Sequence, residues 1–239
     1  MSDMMVRGMP SGYTRTKVLV VAALQVSKGF AVSLGSRPLI LEDDLIFDRG
    51  DTVAVLGANG QGKTTFFNCI SGLTNYSGTI MLPTSSSQDL NDVDALYSGD
   101  FLYDNISYRN NIRIFASEKV RENEALLSVN NFGSQRVEKL SEGQRKLAAV
   151  TILAKRDAPL VLLDEVSNGL DHEGRLKCSN YISSKSKDGT IFLLTGHNLS
   201  FFEEIVNRVI TIHDGNITDR SELLTRGLKV EDIYAKYCT

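Results

Sequence analysis

Four short runs carry residue types that could do chemistry together. The first is Gly57-Ala58-Asn59-Gly60-Gln61-Gly62-Lys63-Thr64-Thr65. It fits G-x-x-x-x-G-K-[ST] at every defined position. Its glycines let backbone N–H groups converge on phosphate oxygens without Cβ clashes. Lys63 supplies a point charge for the β- and γ-phosphates of a nucleotide, and Thr64 offers its hydroxyl to Mg²⁺.

The second run is Leu160-Val161-Leu162-Leu163-Asp164-Glu165, an apolar stretch ending in two carboxylates. A buried strand delivers its last residues to the C-terminal sheet edge, where ligands bind in α/β folds. Asp164 would hold Mg²⁺, directly or through water. Adjacent strand residues point to opposite sides. Glu165 is therefore aimed elsewhere and can polarise an attacking water as a general base. Alone, the run would equally read as a strand ending in solvated acids. The phosphate loop upstream tips the reading toward chemistry.

The third run is Leu140-Ser141-Glu142-Gly143-Gln144, just ahead of the acidic strand. Ser141 can cap the following helix, and Gly143 allows close backbone approach. An outward-facing Ser at a helix N-terminus makes a second anion site. The fourth is His197, after the apolar run that ends Leu194-Thr195-Gly196. In isolation these two would read as a plain helix cap and a surface histidine.

The elements that must position these residues follow from periodicity. Strand-like segments lie near Val18–Val32, Leu39–Phe47, Thr52–Leu56, Gly78–Leu82, Leu160–Leu163, Thr190–Thr195 and Val209–His213. Helical patterns lie near Lys63–Leu73, Asn105–Ala116, Lys119–Asn130, Ser141–Lys155, His172–Lys187 and Leu199–Asn207. Strands come first and then alternate with helices. That order predicts an α/β core with a mostly parallel sheet and an antiparallel portion near the N-terminus. The stretch 104–156 would form a helical lobe inserted into that core, within one domain spanning 17–239. Residues 1–16 read as a mobile leader.

Bulk properties bound the function. A chain of 239 residues can bury a sizeable core. The net charge of −3, with no basic run, argues against a nucleic-acid binder. No segment approaches the roughly 20 apolar residues of a membrane helix, so a membrane role would be peripheral. Cys69, Cys178 and Cys238 are far apart, without metal-ligand spacing, and read as reduced thiols.

Together, in this order and spacing, the four runs resemble the ATP-binding cassette (ABC) family of P-loop NTPases, from about Leu24 onward. The resemblance implies an ATP-hydrolysing transport motor. Two copies would pair head to tail. Ser141, Gly143 and Gln144 of one would face the γ-phosphate held by Lys63 of the other. Asn168-Gly169-Leu170-Asp171 resembles the family's D-loop, and His197 its switch histidine. Integral membrane subunits would be further partners, with the chain on the cytoplasmic face of a bacterial inner membrane or an equivalent organelle membrane.

The chain also departs from the family pattern. Asp100 falls nearest the place of the usual Gln that helps bind Mg²⁺ and contacts the membrane partner. Val166 stands where Pro usually follows the acidic pair. Phe30 is the candidate for the aromatic that stacks on adenine. The stretches 140–147, 158–165 and 169–175 look like the ATP-binding subunit of the haem exporter of cytochrome c maturation. The tail 227–234 is similar instead to cassettes of drug- or polysaccharide-type exporters. A soluble, non-transport ABC ATPase and an ATP sensor without turnover are the other classes to weigh.

Overall fold

The first strand to reach the site, β5 (Thr52–Leu56), is buried along its whole length. So are β8 (Leu160–Leu163) and β9 (Ile191–Leu194). A near-continuous apolar run is what a strand covered on both faces requires. In this computed structural model, which describes residues 23–35, 37–84, 92–97, 101–116 and 120–238, these strands form the middle of an eight-stranded sheet. Its remaining members are β2 (Ala31–Leu34), β3 (Arg37–Leu41), β7 (Val93–Leu96), β10 (Arg208–His213) and β11 (Asn216–Asp219). The order is β2-β3-β11-β10-β5-β9-β8-β7. The run from β10 to β7 is parallel, while β2–β3 and β10–β11 pair antiparallel.

Alternation along each central strand feeds two cores. Val53, Val55, Leu160, Leu162, Ile191 and Leu193 face one side. There they meet Phe66, Phe67 and Ile70 of α1 (Lys63–Ile70) and a small antiparallel sheet. That sheet contains β4 (Leu45–Phe47), β1 (Leu24–Val26) and β6 (Ile80–Met81). Each fully buried Phe is worth about 1.5–3 kcal/mol of apolar transfer. Ala54, Leu56, Val161, Leu163, Phe192 and Leu194 face the other side. That core is closed by α4 (Glu142–Arg156), α5 (His172–Lys187), α6 (Leu199–Glu203) and α8 (Val230–Tyr237).

Between β7 and β8 the chain is helical rather than extended. It contains α2 (Tyr108–Phe115), two 3₁₀ turns (Glu122–Glu124 and Val137–Lys139), α3 (Val129–Phe132) and α4. Ser107 caps α2 by accepting from the Asn110 N–H. The single helix expected over Lys119–Asn130 is replaced, in its described part 120–130, by the 3₁₀ turn Glu122–Glu124, an irregular stretch and the start of α3. Thr151 Oγ1 accepts from the N–H groups of both Leu126 and Leu127, and Glu122 Oε2 accepts from the Asn130 N–H. These side chains take backbone donors that a helix would need, so the segment wraps over α4.

One further expectation changes, and two strands appear where none was expected. The strand expected over Leu39–Phe47 divides at 42–44, sending β3 to the large sheet and β4 to the small one. β7 escapes sequence reading because Asp94 interrupts a short apolar run; inside the fold Asp94 pairs with Arg156 at 2.9 Å. β11 follows a tight Asp214-Gly215 turn in which both residues have positive φ, 47° and 81°. Asp-Gly favours this hairpin geometry. The leader 1–16, most of the run Val18–Leu24 and Asp100 lie outside the described residues. Among the described residues no helix is long and apolar enough to cross a membrane.

Candidate functional site

Three loops leave the C-terminal ends of β5, β9 and β8, which are immediate neighbours in the sheet. They carry the phosphate loop, His197 and the acidic pair. Sheet order, not sequence proximity, therefore brings residues 57–65, 164–165 and 195–197 to one edge.

The phosphate loop is shaped by steric demand. A Cβ on Gly57 would lie 2.6 Å from the Ile212 carbonyl oxygen. Gly62, with φ of 104°, is the residue before α1 and offers no side-chain cap. The first N–H groups of α1 are thus left to an external acceptor. Gln61 Oε1 accepts from the Asp214 N–H at 3.1 Å, tying the loop to the β10–β11 turn. The Lys63 ammonium donates to the carbonyls of Gly57 at 2.7 Å and Ala58 at 3.1 Å. Burial lowers its pKa, while the charges of Glu165 and Asp164 act in the opposite sense.

Asp164 is buried and shared. Its Oδ2 accepts from the Thr64 hydroxyl at 2.8 Å, and its Oδ1 from the Thr195 hydroxyl. A carboxylate beside a hydroxyl is the hard oxygen donor set that Mg²⁺ prefers. Thr64 and Asp164, the two residues expected to hold Mg²⁺, are thus in direct contact with each other.

Glu165 occupies left-handed backbone, with φ of 54°. Such a conformation costs a non-glycine residue on the order of 1–3 kcal/mol and persists only where neighbours hold it. Several do. The Glu165 N–H donates to Thr195 Oγ1 at 2.9 Å. The next N–H, of Val166, donates to the Thr195 carbonyl at 3.2 Å. A proline at 166 could not make that bond. It would also disfavour the helical regions of backbone for residue 165. The Val departure is therefore matched to the geometry here. At the side chain, Oε2 accepts from Asn168 Nδ2 at 2.9 Å, and Oε1 lies 3.3 Å from His197 Nε2.

Ser141 caps α4 in a reciprocal box. Its Oγ accepts from the Gln144 N–H at 3.2 Å, and Gln144 Oε1 accepts from the Ser141 N–H at 3.0 Å. The hydroxyl keeps its own O–H as a donor for another acceptor. Ser141 is exposed, and Gly143 packs so closely on the loop after β8 that a Cβ would sit 2.4 Å from the Gly169 carbonyl oxygen. Asp171 caps α5, accepting from the Gly174 N–H at 2.7 Å.

One expectation fails. Phe30 is fully buried, with its ring 5.8 Å from that of Phe66 and 5.5 Å from that of Tyr76. A ring enclosed in the core cannot lie on an adenine, so Phe30 is a packing residue. Two residues escaped sequence reading. Thr195 bridges Asp164 and Glu165, and its signal was its place two residues before His197. Lys146 reaches the acidic loop from α4, and its signal was its place as the second cation of Arg145-Lys146, next to the apolar run of that helix.

Comparison with known proteins agrees with this geometry. Residues 42–168 match the family model described as ABC transporter. The chain is 32% identical over 183 residues to the SkfA peptide export ATP-binding protein SkfE of Bacillus subtilis, spanning 71% of this chain and 77% of that one. It is 27% identical over 194 residues to the lantibiotic transport ATP-binding protein SrtF of Streptococcus pyogenes, spanning 77% and 85%. Among solved structures, an ATP-binding subunit of an ABC transporter superposes with a TM-score of 0.72 at 21% identity, covering 90% of this chain and 98% of that one. A dimeric ATP-binding cassette bound to ADP and Pi superposes with a TM-score of 0.66 at 18% identity, covering 82% and 97%. With the phosphate loop, the acidic pair and the histidine assembled on one sheet edge, the chain belongs to the ABC transporter family, as one of its ATP-binding, ATP-hydrolysing subunits.

Proposed function

We propose that the chain is the motor of a multi-subunit exporter whose single cassette, 17–239, works as a head-to-tail pair on the cytoplasmic side of a membrane. The observation that carries the ATPase half is the convergence of Lys63, the Thr64–Asp164 pair and the Glu165–His197 pair on adjacent strand ends.

The roles proposed for the site residues are these. The loop N–H groups of Gly57 through Thr65 and the Lys63 ammonium receive the phosphates. Thr64 and Asp164 would hold Mg²⁺. When bound, that ion offsets the charge that develops on the phosphate oxygens. Glu165 takes the proton of the attacking water. A carboxylate has about four lone-pair positions, so its contacts with Asn168 and His197 leave room for one more donor. His197 holds the Glu165 carboxylate and would contact the terminal phosphate. Ser141, Gly143 and Gln144 of a second copy complete the site, with Asp171 at the pair's seam. ATP then favours the closed pair and hydrolysis releases it.

The partners are a second copy and integral membrane subunits; nucleic acid is not among them. The names of the two bacterial relatives support a peptide-class cargo. Haem export for cytochrome c maturation is the second reading, supported by the stretches 140–147 and 158–165. Glu165→Gln tests the motor: turnover is lost while ATP binding and ATP-driven pairing persist. Gentle detergent extraction tests the transporter: an integral membrane protein copurifies. Recovery of the chain with no such protein would overturn the transport reading.

A further inference from the structure

The link between α4 and the loop after β8 has a second point of contact. Lys146 sits one helical turn beyond Gly143, on the same face. Its ammonium donates to the carbonyl oxygens of Glu165 at 2.6 Å and Asn168 at 2.8 Å. Lys146 is buried, 7% exposed. Its hydrogen bonds go to carbonyls rather than to a carboxylate. Those carbonyls bracket the turn that starts at the left-handed Glu165 and ends at the residue that holds its Oε2. Gly143 meanwhile abuts the Gly169 carbonyl, the next residue along.

We infer that Gly143 and Lys146 form an intramolecular clamp that fixes the 165–169 turn to the start of α4, making Lys146 a positioning residue for Glu165. The inference rests on the reading of Glu165 as the general base. Its consequence is directional. The exposed start of α4 is the surface that would meet ATP held by the other copy. A shift of α4 on that contact moves the clamp, and the clamp moves the backbone that aims this chain's own Glu165. One copy's engagement of nucleotide is thereby coupled to the other site's base through two residues of a single helix. Thr195 holds the opposite side of the same turn, at the Glu165 and Val166 N–H groups, so the turn is gripped from both faces.

The test compares Lys146→Arg, Lys146→Gln and Lys146→Met in the full chain. Turnover, nucleotide affinity and hydrogen exchange across 165–170 are read for each. The clamp predicts that Lys146→Met loses about tenfold or more in kcat, since small misplacements of a catalytic group are that costly. Nucleotide affinity should stay within about twofold, because this substitution touches the transition state rather than binding. Exchange should rise in the 165–170 turn and not in β5 or β9. Lys146→Arg, which keeps cationic donors, should recover much of the rate. If Lys146→Met does not fold, Lys146→Gln set against Lys146→Arg gives the same reading. Wild-type kcat in the folded Met or Gln variant would overturn the clamp, as would kcat and affinity falling together. Turnover that survives Glu165→Gln in a chain with Lys146 intact would instead overturn the reading of Glu165.

Discussion

Two helix starts in this chain could each receive an anion, and they are built in opposite ways. α1 begins after Gly62 with no side-chain cap and a buried lysine as its first residue. α4 begins after Ser141 in a closed capping box, exposed to solvent. In α1 the backbone donors are left unspent, and glycine geometry lets a ligand approach them. In α4 the capping box already takes the Ser141 and Gln144 N–H groups, and the Ser141 hydroxyl faces outward with one proton to give. The first is a site complete within one chain. The second is half of a site, stable by itself and useful only against another surface.

That contrast can be broken at its stronger side first. Lys63→Ala removes a charged donor from the α1 site. A hydrogen bond to a charged group is worth about 1.5–3 kcal/mol, so nucleotide affinity should fall by about ten- to a hundredfold in equilibrium titration. An unchanged affinity would mean that the α1 start is not the phosphate site. Next comes Val166→Pro, which deletes the Val166 N–H bond to Thr195 and disfavours the backbone of Glu165. A loss of about tenfold in kcat with little change in affinity is expected from the misaimed carboxylate.

Ser141→Ala probes the α4 start. Loss of the cap should cost about 1 kcal/mol, seen as a fall in Tm of about 2–4 °C in the monomer. The same variant should need more ATP to dimerise, measured by light scattering. A cap loss with no effect on pairing would reduce Ser141 to a structural role. The smallest effect lies at the other end of α4, where Arg156 holds Asp94. Burial, opposed by Arg156, raises the Asp94 pKa from 3.8 to about 6. The folded state therefore binds this proton more tightly than the unfolded chain. The group's contribution to stability is full below the unfolded pKa and is lost as pH rises through the folded one. Asp94→Asn abolishes that dependence. Relative to wild type, the variant should be less favoured near about pH 5 than near about pH 7.5, by a shift in Tm difference of about 2 °C.

Much of this was legible in the chain itself. The pattern G-x-x-x-x-G-K-T names its own geometry, because only glycine admits the close approach at Gly57 and the left-handed turn at Gly62. The apolar runs before Asp164 and His197 specify buried parallel strands, because a sheet covered on both faces leaves no polar side to write. Helix α4 was legible from Ser141 and Gln144, whose capping box is a local signal.

Other features depended on partners distant in sequence. The 120–130 stretch has helical periodicity, yet Thr151 claims its backbone donors. Phe30 sits where an exposed aromatic was expected, but Phe66 and Tyr76 enclose it. β7 is a strand because it pairs with β8 along its whole length, with Arg156 as the partner of the carboxylate within it. Sequence alone determined which residues could bind phosphate and move a proton, since those capacities are intrinsic to residue type and local spacing. Tertiary structure alone decided how Glu165 is aimed. Its left-handed backbone is held by Thr195 from β9's end and Lys146 from α4, and no local pattern encodes a grip supplied by two separate elements.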